Sequence, residues 1–266
     1  MVTRIVTAVV ALAIFLAVIF AGEIPLEIGI CLVILAMLYE IYGAVTKSKA
    51  VKTVGFLNAV LFGAGLMTGY VLPAVFLAVI ITMITVVALH GKVDFKEVTA
   101  AQLLTIYIVF FMLLIPQTRI SMGLEYMALI FIIAWGSDTA AYFCGTFFGR
   151  HKLIPHVSPK KTVEGSVGAL VCVMIICMLY AFIMNMCGSP LRDFAGTFAD
   201  YAKTGALAAV AAAFSQVGDL AASAIKRDAG IKDYGKIFPG HGGFMDRFDS
   251  VIFITPIVYY YGIYFM

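Results

Sequence analysis

Between residues 219 and 249 the chain carries Asp219, Lys226, Arg227, Asp228, Lys232, Asp233, Lys236, Asp246, Arg247 and Asp249. Ten of its 33 charged side chains thus fall in little more than a tenth of its length. Acids and bases are mixed there, whereas a polybasic lipid-binding patch holds mostly one sign. Asp246 and Asp249, three residues apart, together with Asp219 on a neighbouring helix, suit a hard, oxygen-coordinated ion such as Mg²⁺. The lysines suit a polyphosphate. Between them, Pro239-Gly240-His241-Gly242-Gly243 is too flexible for a plain helix–helix connection. Its glycines would let backbone N–H groups approach phosphate oxygens.

Two further stretches join this one. Ser215, Asp219, Ser223 and Lys226 fall at i−4, i, i+4 and i+7, on one face of an Ala-rich helix that Gln216 and Arg227 flank. Such a stripe must face protein or a watery cavity rather than lipid. Asp138 and Tyr142 are likewise one turn apart, on a helix whose Gly136, Gly145 and Gly149 permit close packing. Acids inside membrane spans are costly and usually functional. Glu40, a third such acid, lies near a helix end, where snorkelling accounts for it. Ser158-Pro-Lys160-Lys161-Thr162-Val-Glu164-Gly165 forms a second basic loop, which alone reads as an ordinary cytoplasmic connection. Acids for metal and bases for phosphate, at a lipid boundary, point to phosphoryl or nucleotidyl transfer to a lipid phosphate.

The elements that must position these groups are membrane helices. The 266 residues are 63% hydrophobic and 12% charged, with a mean hydropathy of +1.04. A soluble domain is about 45–50% apolar and about 25% charged. A soluble enzyme, a disordered chain, a disulfide scaffold and a nucleic-acid binder are excluded. The fold class is all-α: a polytopic integral membrane bundle of about nine helices. Spans are expected near residues 5–21, 26–45, 54–70, 73–89, 100–116, 124–146, 166–187, 204–225 and 250–266. The first resembles a signal peptide, but its apolar run is long for one and more spans follow, so it reads as a retained helix. With the N-terminus cytoplasmic, 15 of the 18 Lys and Arg fall inside; Arg119, Arg192 and Lys203 fall outside. That asymmetry supports the orientation and the number of spans together. The five cysteines, in or at the edge of apolar runs, lack metal-ligand spacing and read as small hydrophobes. Residues 1–99 read as an N-terminal group of helices. Residues 100–266 read as a catalytic part with cytoplasmic loops 147–165 and 226–249.

The string Ser223-Ala-Ile-Lys226-Arg227, then Lys232-Asp233, then His241-Gly242-Gly243-Phe-Met-Asp246-Arg247-Phe-Asp249 resembles the signature of the CDP-diacylglycerol synthase (phosphatidate cytidylyltransferase) family. Asp138-Thr-Ala-Ala-Tyr142 and Ser158-Pro-Lys-Lys-Thr162 with Glu164-Gly165 resemble it too. Val163 departs from the Trp expected there. The resemblance covers residues 135–250 by motif and the rest by architecture.

It implies the reaction CTP + phosphatidate → CDP-diacylglycerol + pyrophosphate, at the cytoplasmic face of the cytoplasmic membrane. Mg²⁺ is the implied cofactor, with a monovalent cation such as K⁺ as a second ion, and the implied assembly is a homodimer. No nucleic acid takes part. In this reading Asp219, Asp246, Asp249 and Asp138 hold metal. Lys226, Arg227, Lys232 and Arg247 offset phosphate charge. Ser158, Lys160, Lys161, Thr162, Glu164, Ser223, His241, Gly242 and Gly243 line the substrates. Two alternatives stay open: a CTP-dependent polyprenol- or phytol-type lipid kinase, which would need a general base, and an ion-coupled transporter, which predicts internal repeats that are not evident.

Overall fold

The computed structural model describes residues 2–238, 240 and 242–265. Among them are nine α-helices: α1 (Val2–Phe20), α2 (Glu23–Val45), α3 (Lys49–Thr68), α4 (Val71–Ala88), α5 (Phe95–Met122), α6 (Leu124–Phe148), α7 (Val163–Met186), α8 (Phe198–Asp228) and α9 (Met245–Phe265). Each of the nine expected spans coincides with one helix. Helices α2 to α9 have the length and apolar character of bilayer spans, and α1 adds the apolar stretch Val9–Phe20. The helices expose large apolar side chains that a soluble protein would hide, such as Leu72 at 82% and Val87 at 77% on α4. Lipid is their solvent.

Local chemistry sets the helix ends. Helices α3 and α4, joined by a very short turn, are separated at Gly69, which takes φ 79°, a left-handed value that favours glycine. Ser48 opens α3, its hydroxyl accepting the Val51 N–H at 3.4 Å. Thr162 does the same for α7 through the Gly165 N–H at 3.1 Å.

The structure adds an element that the spans did not foretell. Within the loop between α6 and α7, β1 (Lys152–Ile154) pairs antiparallel with β2 (Ser158–Thr162), in the register Lys152↔Thr162 and Ile154↔Ser158. A three-residue strand and a Pro-bearing partner give too little periodicity to read as a hairpin.

The chain forms two compact units. One comprises Met1–Leu113 and Asp228–Arg247; the other comprises Leu114–Arg227 and Phe248–Met266. In the first, Phe62 meets Phe110 edge-on with ring centroids 5.3 Å apart, and Tyr42 Oη lies 2.5 Å from Thr105 Oγ1. Asn58 Nδ2 donates to Thr82 and Gln102, which ties α3 to α4 and α5. In the second, α6 runs against α7. A Cβ on Gly165 would lie 2.8 Å from the Ala141 carbonyl and 3.0 Å from Gly145 Cα, so these helices cross where neither has a side chain. Tyr126 Oη donates to the Val258 carbonyl at 3.1 Å and ties α6 to α9.

Candidate active site

In the second unit, three carboxylates come from three helices: Asp138 from α6, Asp219 from α8 and Asp249 from α9. Helix α8 approaches α9 closely because residue 218 is glycine. A Cβ there would lie 2.7 Å from the Asp249 carbonyl oxygen and 2.9 Å from Phe253 Cδ2. Asp219 follows directly, and Ser223, one turn on, donates to its Oδ1 at 3.3 Å. The Ser215–Lys226 stripe is therefore a helical face, as its spacing predicts. Lys161, at the end of β2, places Nζ 2.5 Å from Asp219 Oδ2.

Asp249 is 7% exposed. It lies in the repulsive fields of Asp219 and Asp138 and the attractive field of Lys226. Ser250 links the acids: its Oγ donates to Asp138 Oδ2 at 3.3 Å, and its N–H donates to Asp249 Oδ1 at 2.8 Å. Sequence reasoning passed over Ser250, although it directly follows the last acid of the motif.

The hairpin that carries Lys160 and Lys161 is anchored at both ends. Glu164 accepts the N–H groups of Arg150 and His151, at 3.0 and 3.1 Å, and lies 2.6 Å from His151 Nδ1. Thr162 is buried at the α7 N-terminus, and Cβ atoms on Gly145 and Gly149 would come within 2.9 Å of its side chain. Glu164 and Thr162, expected to line the substrates, thus hold the hairpin in this structure. Ser158 starts β2, and Lys160 is exposed.

The first unit holds the rest of the signature. Asp246, in the first turn of α9, accepts the Tyr234 N–H at 2.9 Å and the Gly243 N–H at 3.0 Å on Oδ2. Gly242 takes φ 83°, and a Cβ there would lie 2.6 Å from Asp246 Oδ2. The Gly243 N–H, expected to face phosphate, is directed to Asp246. Lys232 and Arg247 are exposed, as is Arg227 at the end of α8 in the second unit. His241 lies outside the described residues.

Glu40 is the residue whose part the sequence did not reveal. It is 5% exposed, and its Oε1 and Oε2 accept the N–H groups of Phe244 and Met245 at 3.1 and 2.9 Å. These are donors left open at the start of α9. No local signal links residue 40 to residue 244.

Among the described residues, no three His, Cys, Asp or Glu side chains stand grouped for a metal ion. The donor chemistry of the second unit does fit Mg²⁺, since it offers carboxylates on three helices. Ser215, one turn before Asp219, is fully buried with its hydroxyl unpartnered. Such an orphan oxygen beside carboxylates suits a hard cation or its water.

Membrane helices that turn acids and lysines toward one another, and not toward lipid, belong to proteins that handle charged groups at a bilayer. The class is that of integral membrane enzymes of phosphate-group transfer. The chain matches the model of the "Cytidylyltransferase family" over residues 2–265. A phosphatidate cytidylyltransferase of Staphylococcus aureus (strain COL) is 32% identical over 266 residues, covering 96% of each chain. One from Bacillus subtilis (strain 168) is 30% identical over 274 residues, covering 97% of this chain and 96% of the relative. A third, from Staphylococcus saprophyticus, is 39% identical over 142 residues, covering 53% of this chain and 50% of that one. The chain belongs to the cytidylyltransferase family.

Proposed function

We propose that the protein transfers the cytidylyl group of CTP to phosphatidate, releasing pyrophosphate and leaving CDP-diacylglycerol in the membrane. The observation that carries this reading is the constellation of Asp219 and Asp249 on membrane helices with Lys161 from the β1–β2 hairpin, in a chain similar from end to end to phosphatidate cytidylyltransferases. The active site faces the cytoplasm, as the distribution of Lys and Arg favours.

A phosphate oxygen of phosphatidate attacks the α-phosphorus of CTP, and the bond to the β-phosphate oxygen breaks. The nucleophile has a second pKa of about 6 and is largely ionised at pH 7. No general base is needed, and none is assigned to His241. The work of the protein is therefore orientation and charge compensation. Lys161 and Lys226 stand beside the acids and offset phosphate charge as the substrates enter. Lys160, Arg227, Lys232 and Arg247 are exposed and draw in the anionic nucleotide. Asp138, Asp219 and Asp249 are the carboxylates for Mg²⁺, with Asp246 assigned to it by the motif. When bound, Mg²⁺ neutralises charge on the triphosphate. Ser223 and Ser250 hold the acids in place through their hydroxyls. The K⁺ site and the homodimer implied by the resemblance belong to the same reading.

The test is an assay of the purified, full-length protein with phosphatidate and labelled CTP, with and without Mg²⁺. Metal-dependent pyrophosphate with label in the lipid is expected, and Asp246→Asn should abolish it while leaving membrane insertion intact. CDP release with phosphorylation of a lipid alcohol would establish the kinase instead.

A further inference from the structure

Described residues between Tyr234 and Met245 surround two carboxylates, Glu40 and Asp246, that come from opposite ends of the sequence. Four of their backbone N–H groups donate to these acids: Tyr234 and Gly243 to Asp246, and Phe244 and Met245 to Glu40. Two glycines among them are needed for Glu40. Cβ atoms at Gly235 and at Gly243 would each run into the Glu40 carboxylate. Gly243 thus touches both acids, accommodating Glu40 against its Cα and donating its N–H to Asp246. Glu40 is nearly sealed from solvent. Its two oxygens take adjacent amides at the positive end of α9, which fixes the direction in which the helix starts.

From this geometry we infer that Glu40 of α2 is a positioning residue for the transfer reaction. It fixes the backbone at Gly243, Phe244 and Met245, and through Gly243 it sets where Asp246 stands. The inference rests on the proposed role of Asp246 as a metal carboxylate. Both Glu40 oxygens are occupied by backbone donors, so it acts through the loop and not on the reacting atoms. Its charge is taken up by backbone donors, which suits a permanent fitting of the loop.

The experiment uses the full-length protein in detergent or nanodiscs. In Glu40→Gln, one amide loses its acceptor because the side-chain NH₂ group meets an N–H. Amide exchange at Phe244 and Met245, read by mass spectrometry, should speed up by about tenfold or more, with α2 to α5 unchanged. The kcat should fall by on the order of 10²-fold, and the Mg²⁺ concentration for half-maximal rate should rise. A reciprocal pair supplies the second reading. Gly243→Ala should be impaired by its collision with the carboxylate. Glu40→Asp, impaired alone, should raise the Gly243→Ala rate at least threefold, because the shorter acid clears the new methyl group.

Three results each overturn the inference: unchanged exchange at 244 and 245, protection lost throughout the first unit, or no rescue in the double variant. Exchange does not depend on the reaction catalysed. An enzyme that makes a product other than CDP-diacylglycerol would leave the exchange result standing and remove only the proposed function.

Discussion

Gly218→Ala probes whether the close approach of α8 and α9 is what brings Asp219 beside Asp249. The added Cβ would lie 2.7 Å from the Asp249 carbonyl oxygen, 2.9 Å from Phe253 Cδ2 and 3.1 Å from Phe253 Cβ, where ordinary contact begins at 3.4 Å. The Phe253 ring can rotate away, but a carbonyl within a helix cannot. The helices must therefore part by about 0.7 Å, the shortfall at that carbonyl. Overpacking of this kind costs ~1–3 kcal/mol, against a gain of ~1 kcal/mol for Ala over Gly in a helix interior. The net loss of stability is thus small, about 0–2 kcal/mol. Activity suffers more, since a misplacement near 1 Å lowers the rate by about 10²-fold. Gly63→Ala in α3 is the matched control, because its Cβ would meet only Leu113 Cδ1, at 3.8 Å; it should keep full activity. The assay is the initial rate of label transfer from CTP, with thermal unfolding in the same detergent. A Gly218→Ala enzyme within threefold of the wild-type rate would refute the argument that close helix approach sets the acid geometry.

Lys161→Met removes the partner of Asp219. The pair is part-exposed, at 20% and 27%, so stability should change by less than about 1 kcal/mol, while kcat/KM for CTP should fall by at least tenfold on the same label-transfer assay. Thr162→Val removes the hydroxyl that accepts the Gly165 N–H and keeps the methyl contacts, and thermal unfolding should show a loss of ~1 kcal/mol. Glu164→Ala removes the acceptor, Oε2, that the Arg150 and His151 N–H groups share. Exchange of those two amides should quicken, and proteolysis within 150–161 should speed up with it. Asp249→Asn should abolish turnover without lowering the unfolding temperature, because it removes the repulsion from Asp219 and Asp138 at a buried position.

The fold was legible because bilayer spans write themselves in long apolar runs, and the asymmetry of Lys and Arg checks their number. The second-unit acids were legible because Asp138 and Asp219 interrupt such runs, and Ser215–Lys226 keeps helical spacing. The β1–β2 hairpin was not, being too short to show alternation. The loop glycines were read by their flexibility alone. Gly242 does take a left-handed φ, but Gly235 and Gly243 are required for space, against a side chain on a distant helix. Glu40 was illegible for the same reason. Its partners lie 204 and 205 residues away, and a lone acid near a helix end is what snorkelling also produces.

That separation in sequence orders events during synthesis. Helix α2 leaves the ribosome and enters the bilayer long before residues 244 and 245 exist. At ~5–20 residues per second, the wait is roughly 10–40 s. Throughout it the Glu40 carboxylate has none of its eventual backbone donors, and hydrocarbon supplies no substitute. Only water at the membrane surface can solvate it, so the nascent α2 must hold that end within reach of the interface. The five residues after Glu40 that close the helix at Val45 are short enough to allow this. Loop closure over Glu40 then dehydrates the acid in one late step, and only a chain translated through the start of α9 can complete its N-terminal half.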